Sequence, residues 1–160
     1  MFRLSRITDY GIVLMAHIAG SEPGEVHAAR EVAELTHLPH PVVSKILKSL
    51  ARTGLLVSHR GAKGGFSLAR DPAQITVPEM IAALEGPISL TECASHKGAC
   101  AQESSCDVRE PWQRINSAVE DALASISLAD LASRSADPIV SLASLGVDTT
   151  GLDTPGTNTE

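Results

Sequence analysis

Residues 41–68 carry three signals in direct succession, and few folds accommodate all of them. Val43, Ile46, Leu47 and Leu50 recur at i, i+3, i+4 and i+7, which places them on one buried stripe of a helix. Pro41 suits the first turn of that helix, where its missing N–H is no loss, and Gly54 is placed to end it. Leu55-Leu56-Val57-Ser58-His59 and Phe66-Ser67-Leu68 then read as two short strands. Between them Arg60-Gly61-Ala62-Lys63-Gly64-Gly65 forms a glycine-rich hairpin tip with two cations.

The segment before this run supplies a second helix and a tight turn. Ala29, Val32, Ala33 and Leu35 fall close to one face between Ala28 and Thr36, and His37-Leu38-Pro39-His40 turns the chain. Upstream, Leu4, Ile7, Gly11, Ile12, Leu14, Met15 and Ile18 repeat at helical spacing until Gly20 and Pro23-Gly24 stop them. Glu25-Val26-His27 is short, a small strand or an extended lead-in. Two short helices, a turn and a hairpin with a basic tip are the parts of a winged helix-turn-helix, predicted for residues 1–70.

Charge tests that reading. The net charge of -6 argues at first against nucleic acid, but it is segregated: residues 1–70 carry a net +4 and residues 71–160 a net -10. No acid lies between Glu34 and Asp71, whereas Lys45, Lys48, Arg52, Arg60, Lys63 and Arg70 all do. The helix 41–53 is therefore predicted to enter the major groove of double-stranded DNA. His40, Ser44 and Lys45 are placed to reach base edges, Lys48 and Arg52 to hold phosphates, and Arg60 and Lys63 to approach the backbone or the minor groove. For any single lysine an ordinary solvated face is the simpler explanation; the combination favours DNA.

Downstream, a short connecting helix is expected at Pro78–Glu85 within residues 71–90, with Met80, Ile81 and Leu84 as its apolar side. Residues 91–108 show no sustained period and read as a loop. Glu110–Asp130 returns to helical spacing through Trp112, Ile115, Val119, Ala122, Leu123 and Ile126, a stripe of about four turns. Such a stripe either packs on its own domain or pairs with a second copy, and two-fold DNA binding favours a homodimer. Residues 134–160, rich in Ser, Thr, Gly, Pro and Asp, are expected to be a disordered tail. Aromatic residues make up only 2%, so the interior must be filled by aliphatic side chains, and a mainly helical fold follows. No stretch approaches the ~20 apolar residues that span a bilayer, so no membrane partner and a cytoplasmic location are expected.

Cys93, Cys100 and Cys106 follow C-x6-C-x5-C inside the loop. Three cysteines cannot all pair within one chain, and a reducing cytosol keeps thiols open. Thiolates are the ligands iron–sulfur clusters require, but the spacing also accommodates a zinc site or buried free thiols. No nucleotide-binding glycine motif, nucleophile elbow or catalytic carboxylate pair is present, so an enzyme is not expected.

Several of these residues together resemble the IscR/NsrR/RirA family of regulators. They are Arg3-Leu4 through Thr8-Asp9-Tyr10, the helix ending Leu50-Ala51-Arg52-Thr53-Gly54-Leu55, the wing Arg60–Phe66, and the cysteines before Trp112. The likeness covers roughly residues 1–132. Val57–Gly65, Ala83-Leu84-Glu85-Gly86-Pro87 and Trp112-Gln113-Arg114-Ile115-Asn116 look most like the subgroup that regulates the SUF iron–sulfur assembly operon. The resemblance implies a homodimer with a long C-terminal dimerisation helix at 109–133, a promoter-binding repressor, and a [2Fe-2S] or [4Fe-4S] cluster on the three cysteines. Some members supply a histidine three residues after the last cysteine; here that position is Arg109, which cannot deprotonate to bind metal. The nitric-oxide sensors use an aspartate on the partner's first helix, and Asp9 stands at the matching place, ahead of His96, Glu92, Glu103 and Asp107 as fourth ligand. A cluster-free regulator using its cysteines as a thiol redox sensor is the alternative.

Overall fold

A computed structural model describes residues 3–95, 98–101 and 105–133, with the side chains of Cys93 and Ser95 left aside. The first helix, α1 (Arg6–Ala19), starts at Ser5, whose hydroxyl accepts from the Thr8 amide at 3.3 Å and so satisfies one free N–H of the first turn. Helix α2 (Ala29–Thr36) stops because His37 takes a left-handed conformation, φ 56°. This turns the chain directly into α3 (His40–Arg52), with Pro41 in its first turn. Val43, Ile46, Leu47 and Leu50 of α3 are all buried, each contributing roughly 1.5–3 kcal/mol of apolar burial.

The wing follows as β1 (Leu56–His59) and β2 (Gly65–Leu68), antiparallel with Leu56 opposite Leu68 and His59 opposite Gly65. A 3-10 turn (Pro72–Gln74) leads to α4 (Val77–Glu85), whose start is closed reciprocally by Thr76 and Glu79. Leu14, Met15, Ile18, Val32, the α3 stripe, Ile75, Met80 and Leu128 form one aliphatic core, so the mainly helical winged architecture expected from the sequence is the one observed.

Two expectations need correction. The stretch 91–108 is not loop throughout: Glu92–Ser95 form a single helical turn, α5. The long helix expected through residue 130 is interrupted. It comprises α6 (Arg109–Ala124) and a separate α7 (Leu128–Ala132). The break has a tertiary cause. Val77 donates to the Ile126 carbonyl at 3.1 Å and Leu128 donates to the Ile75 carbonyl at 2.7 Å, so residues 125–127 leave helical geometry and Ser127 pairs beside Thr76. Ser127 and Asp130 then cap the new helix. Leu123 and Ile126 thus pack on the chain's own core, while Trp112 and Ile115 remain exposed. The expected tail, 134–160, lies outside the described residues.

Candidate nucleic-acid interface and cysteine loop

Because the apolar stripe of α3 faces inward, the opposite side presents His40, Lys45, Lys48 and Arg52 to solvent, with Ser44 half-buried beside them. Ser44 Oγ and His40 Nε2 lie 3.2 Å apart, a hydrogen bond that orients both at the N-terminal end of the helix. Arg52 reaches Ser49 Oγ at 3.5 Å. Arg60 and Lys63 are exposed at the wing tip. Arg30 pairs with Glu34 and Arg70 with Glu79, whereas Lys45, Lys48, Arg52, Arg60 and Lys63 pair with no carboxylate among the described residues. Arg70 is different. Its guanidinium binds Glu79 at 2.7 Å, which removes it from the free basic set that the acid-free run suggested.

The wing is held at its base by the last residue of the short stretch 25–27, for which a small strand or an extended lead-in is expected. His27 donates its backbone N–H to Phe66 and accepts from the Phe66 amide, both at 2.9 Å, so it acts as a one-residue third strand. Its ring is buried, edge-on to His17. The hydrogen bond between His59 Nε2 and Ser67 Oγ, 2.8 Å, ties the two strands together. Gly61 has φ +105° at the tip, a conformation that favours glycine, and the Gly64 amide closes the turn on its carbonyl at 2.9 Å.

The cysteine loop hangs between α4 and α6. Gly86, φ +95°, ends α4, and the following segment is fastened by Asn116, the buried residue of α6. Asn116 Oδ1 accepts from Leu90 N at 3.0 Å and its Nδ2 donates to the Ile88 carbonyl at 3.2 Å. No period in the sequence marks this residue, which interrupts an apolar stripe with an amide. Cys93 lies in α5, with its side chain outside the described set. Cys100 and Cys106 are half-buried free thiols. His96 and Glu103 fall outside the described residues, while Glu92 and Asp107 are exposed.

Asp9 is exposed in the first turn of α1 and makes no ion pair with Arg6. Among the described residues no three His, Cys, Asp or Glu side chains converge. Free, partly accessible thiols are the donor type that an iron–sulfur cluster takes, so the chemistry of this loop fits such a group. No helix among the described residues is long and apolar enough to cross a membrane.

Comparison with known proteins places these features in context. The family model for Rrf2, described as an iron-dependent transcriptional regulator, matches residues 4–134. The regulator CymR of Bacillus subtilis is 33% identical over 131 residues, covering 82% of this chain and 90% of that one. Its solved structure, described as that of the global cysteine regulator, superposes with a TM-score of 0.66 at 31% identity over 84% of this chain and 99% of the other. The regulator IscR of Cronobacter sakazakii is 29% identical over 130 residues, 81% of this chain and 79% of its own length. The solved T. potens IscR gives a TM-score of 0.62 at 28% identity, covering 81% of this chain and 85% of that one.

Proposed function

The chain belongs to the Rrf2 family and is a DNA-binding transcriptional regulator, not an enzyme; from that premise we propose that it represses iron–sulfur assembly genes and senses a cluster. Cys93, Cys100 and Cys106 would hold the cluster, with the partner subunit's Asp9 as fourth ligand. The observation that carries this is the loop itself: three cysteines within one segment, Cys100 and Cys106 free and partly accessible, on a stem fixed by Asn116.

Bound there, the cluster supplies a group whose loss or damage changes the ligand set. The chain's own residues do the rest. His40, Ser44 and Lys45 read base edges, Lys48 and Arg52 engage phosphates, and Arg60 and Lys63 approach the backbone or the minor groove. Two copies paired through the exposed side of α6, where Trp112 and Ile115 lie, would present two such helices to half-sites about one DNA turn apart. A tenfold change in promoter occupancy requires the states to differ by only ~1.4 kcal/mol in DNA binding.

Similarity to a protein described as a cysteine regulator favours a second reading, in which the same thiols respond to oxidation without a cluster. Anaerobic purification separates the two. Brown protein with stoichiometric iron and sulfide, whose promoter affinity changes on cluster removal and is insensitive to such treatment after Cys93→Ala, Cys100→Ala and Cys106→Ala, supports the cluster. Colourless protein whose affinity responds to thiol oxidants supports the second reading.

A further inference from the structure

Glu85, within the motif Ala83–Pro87, joins two parts of the molecule that sensing must connect. Glu85 is the last residue of α4. One of its oxygens, Oε1, accepts from the backbone N–H of Ser5 at 2.8 Å and from the hydroxyl of Thr8. Ser5 caps α1, and Thr8 is fully buried in its first turn. A carboxylate nearly eighty residues away in sequence therefore closes the helix turn that carries Asp9. An anion at a helix N-terminus is also favoured by the helix dipole. Hydrogen bonds from Ser5 and then Thr8 hold the carboxyl below the usual glutamate range, so it is an acceptor at neutral pH.

Beside this latch the helices are pinched together. A methyl group at Gly11 of α1 would collide with Leu84 Cδ1 of α4 and lie 3.5 Å from Ile46 Cγ2 of α3. Ile46 belongs to the buried stripe behind Lys45 and Lys48. Gly11 therefore sits where α1 meets both α4 and α3. On the other side, Gly86 ends α4 immediately after Glu85, and Asn116 fastens Ile88 and Leu90 to α6 only three residues before Cys93.

We infer that Glu85 is a positioning residue that locks the first turn of α1, and through Gly11 the helix α3, to the stem of the cysteine loop. The role assigned to Asp9 in that turn rests on the function proposed above; the lock itself does not. Glu85 touches neither DNA nor any proposed ligand atom. It sets where the ligand-bearing turn sits relative to the loop, so that a change at the loop is felt at α3.

The test uses the full chain with Glu85→Ala, with Glu85→Gln, which keeps the shape but loses the charge, and with Thr8→Val as a second, milder variant. Three quantities are read: amide hydrogen exchange at residues 5–9 in cluster-free protein, thermal melting, and promoter affinity with the cluster reconstituted from iron and sulfide and after its removal. In Glu85→Ala, exchange at residues 5–9 should rise at least tenfold while the core amides of α2 and α3 keep wild-type rates. The ratio of loaded to cluster-free affinities should contract toward one, with Glu85→Gln and Thr8→Val intermediate. Unchanged exchange at residues 5–9 would overturn the inference. So would equal losses of affinity in both forms with the ratio intact, or uniformly faster exchange through α1–α3, since those are the marks of a merely structural glutamate. If wild-type protein takes up no cluster, the proposed function fails, and exchange at residues 5–9 still decides the lock.

Discussion

Replacing Gly65 with alanine tests how the wing is held, because the obstacle there is contact and not conformation. A methyl group at residue 65 would lie 2.7 Å from the carbonyl carbon of His27 and 3.0 Å from the Ala28 nitrogen, and closer still to the His27 oxygen. All three are backbone atoms that no rotamer change can move aside. Carbon atoms pack comfortably at about 3.5–4 Å, so β2 must retreat from residues 27–28 by roughly 1 Å. That separation breaks the two His27–Phe66 backbone bonds, both 2.9 Å, at a net cost of about 1 kcal/mol each. Partial exposure of the Phe66 ring adds about 1 kcal/mol, and the stiffer unfolded chain returns about 0.4–1 kcal/mol. The expected loss is about 2–3 kcal/mol, or a fall in Tm of roughly 6–15 °C for a domain of this size. Arg60 and Lys63 move with the strand, so promoter affinity should fall as well. Gly61→Ala is the control: open space surrounds that position, and only its positive φ opposes a side chain, at about 1–2 kcal/mol. Thermal melting and promoter titration at fixed salt decide the matter. A Gly65→Ala protein that melts within about 1 °C of wild type and binds DNA equally well would refute the idea that the His27–Phe66 bridge anchors the wing.

Lys48→Ala and Arg52→Ala should weaken binding to all DNA sequences alike and each reduce the slope of log K against log salt by about 0.9, measured by titration over a salt series. Asn116→Leu leaves the Leu90 N–H and the Ile88 carbonyl without their partner, and chemical denaturation should register a loss of about 2–4 kcal/mol. Acid should destabilise the fold through two glutamates. Backbone bonding from Thr76, then Arg70, lowers the Glu79 pKa, and bonding from Ser5 and Thr8 lowers that of Glu85. A carboxyl whose folded pKa is depressed contributes stability that is fully present above its unfolded value, about 4.3, and is lost as pH falls through the lower folded value. Melting temperatures recorded downward from pH 5 should therefore drop, and Glu85→Gln should flatten part of that drop.

What the sequence disclosed and what it concealed divide along physical lines. The α3 stripe was legible because helical periodicity is local: Val43, Ile46, Leu47 and Leu50 needed no knowledge of their partners to be placed inside. The wing was legible for the same reason, since a cluster of glycines between two β-rich runs has few other uses. The exposed cations of α3 and the wing were legible as a group from the absence of acids nearby, but Arg70 was not separable from them, because its partner Glu79 lies on the next helix. The pairing partners of His27, Asn116 and Glu85 were not legible, although His27 fell in a stretch read as a small strand or an extended lead-in. Each is defined by a bond to an element distant in sequence, which composition and spacing do not encode.

The broken C-terminal helix bears most directly on how a dimer would meet the cysteine loop. An unbroken stripe from Trp112 to Ile126 would have offered a partner about four turns of apolar surface. Leu123 and Ile126 are instead packed on the chain's own core, and residues 126–128 are paired to residues 75–77. Of the large apolar side chains near the C-terminal helices, those left exposed are Val108, Trp112 and Ile115, on the first turns of α6 and just ahead of them, close after Cys106. A second copy seated on those residues would approach the chain beside its cysteine loop and not at the far end of the helix. If the function proposed above holds, that is the side from which the partner subunit's Asp9 would arrive, and the interruption at residues 125–127 would narrow where the second half of such a site comes from.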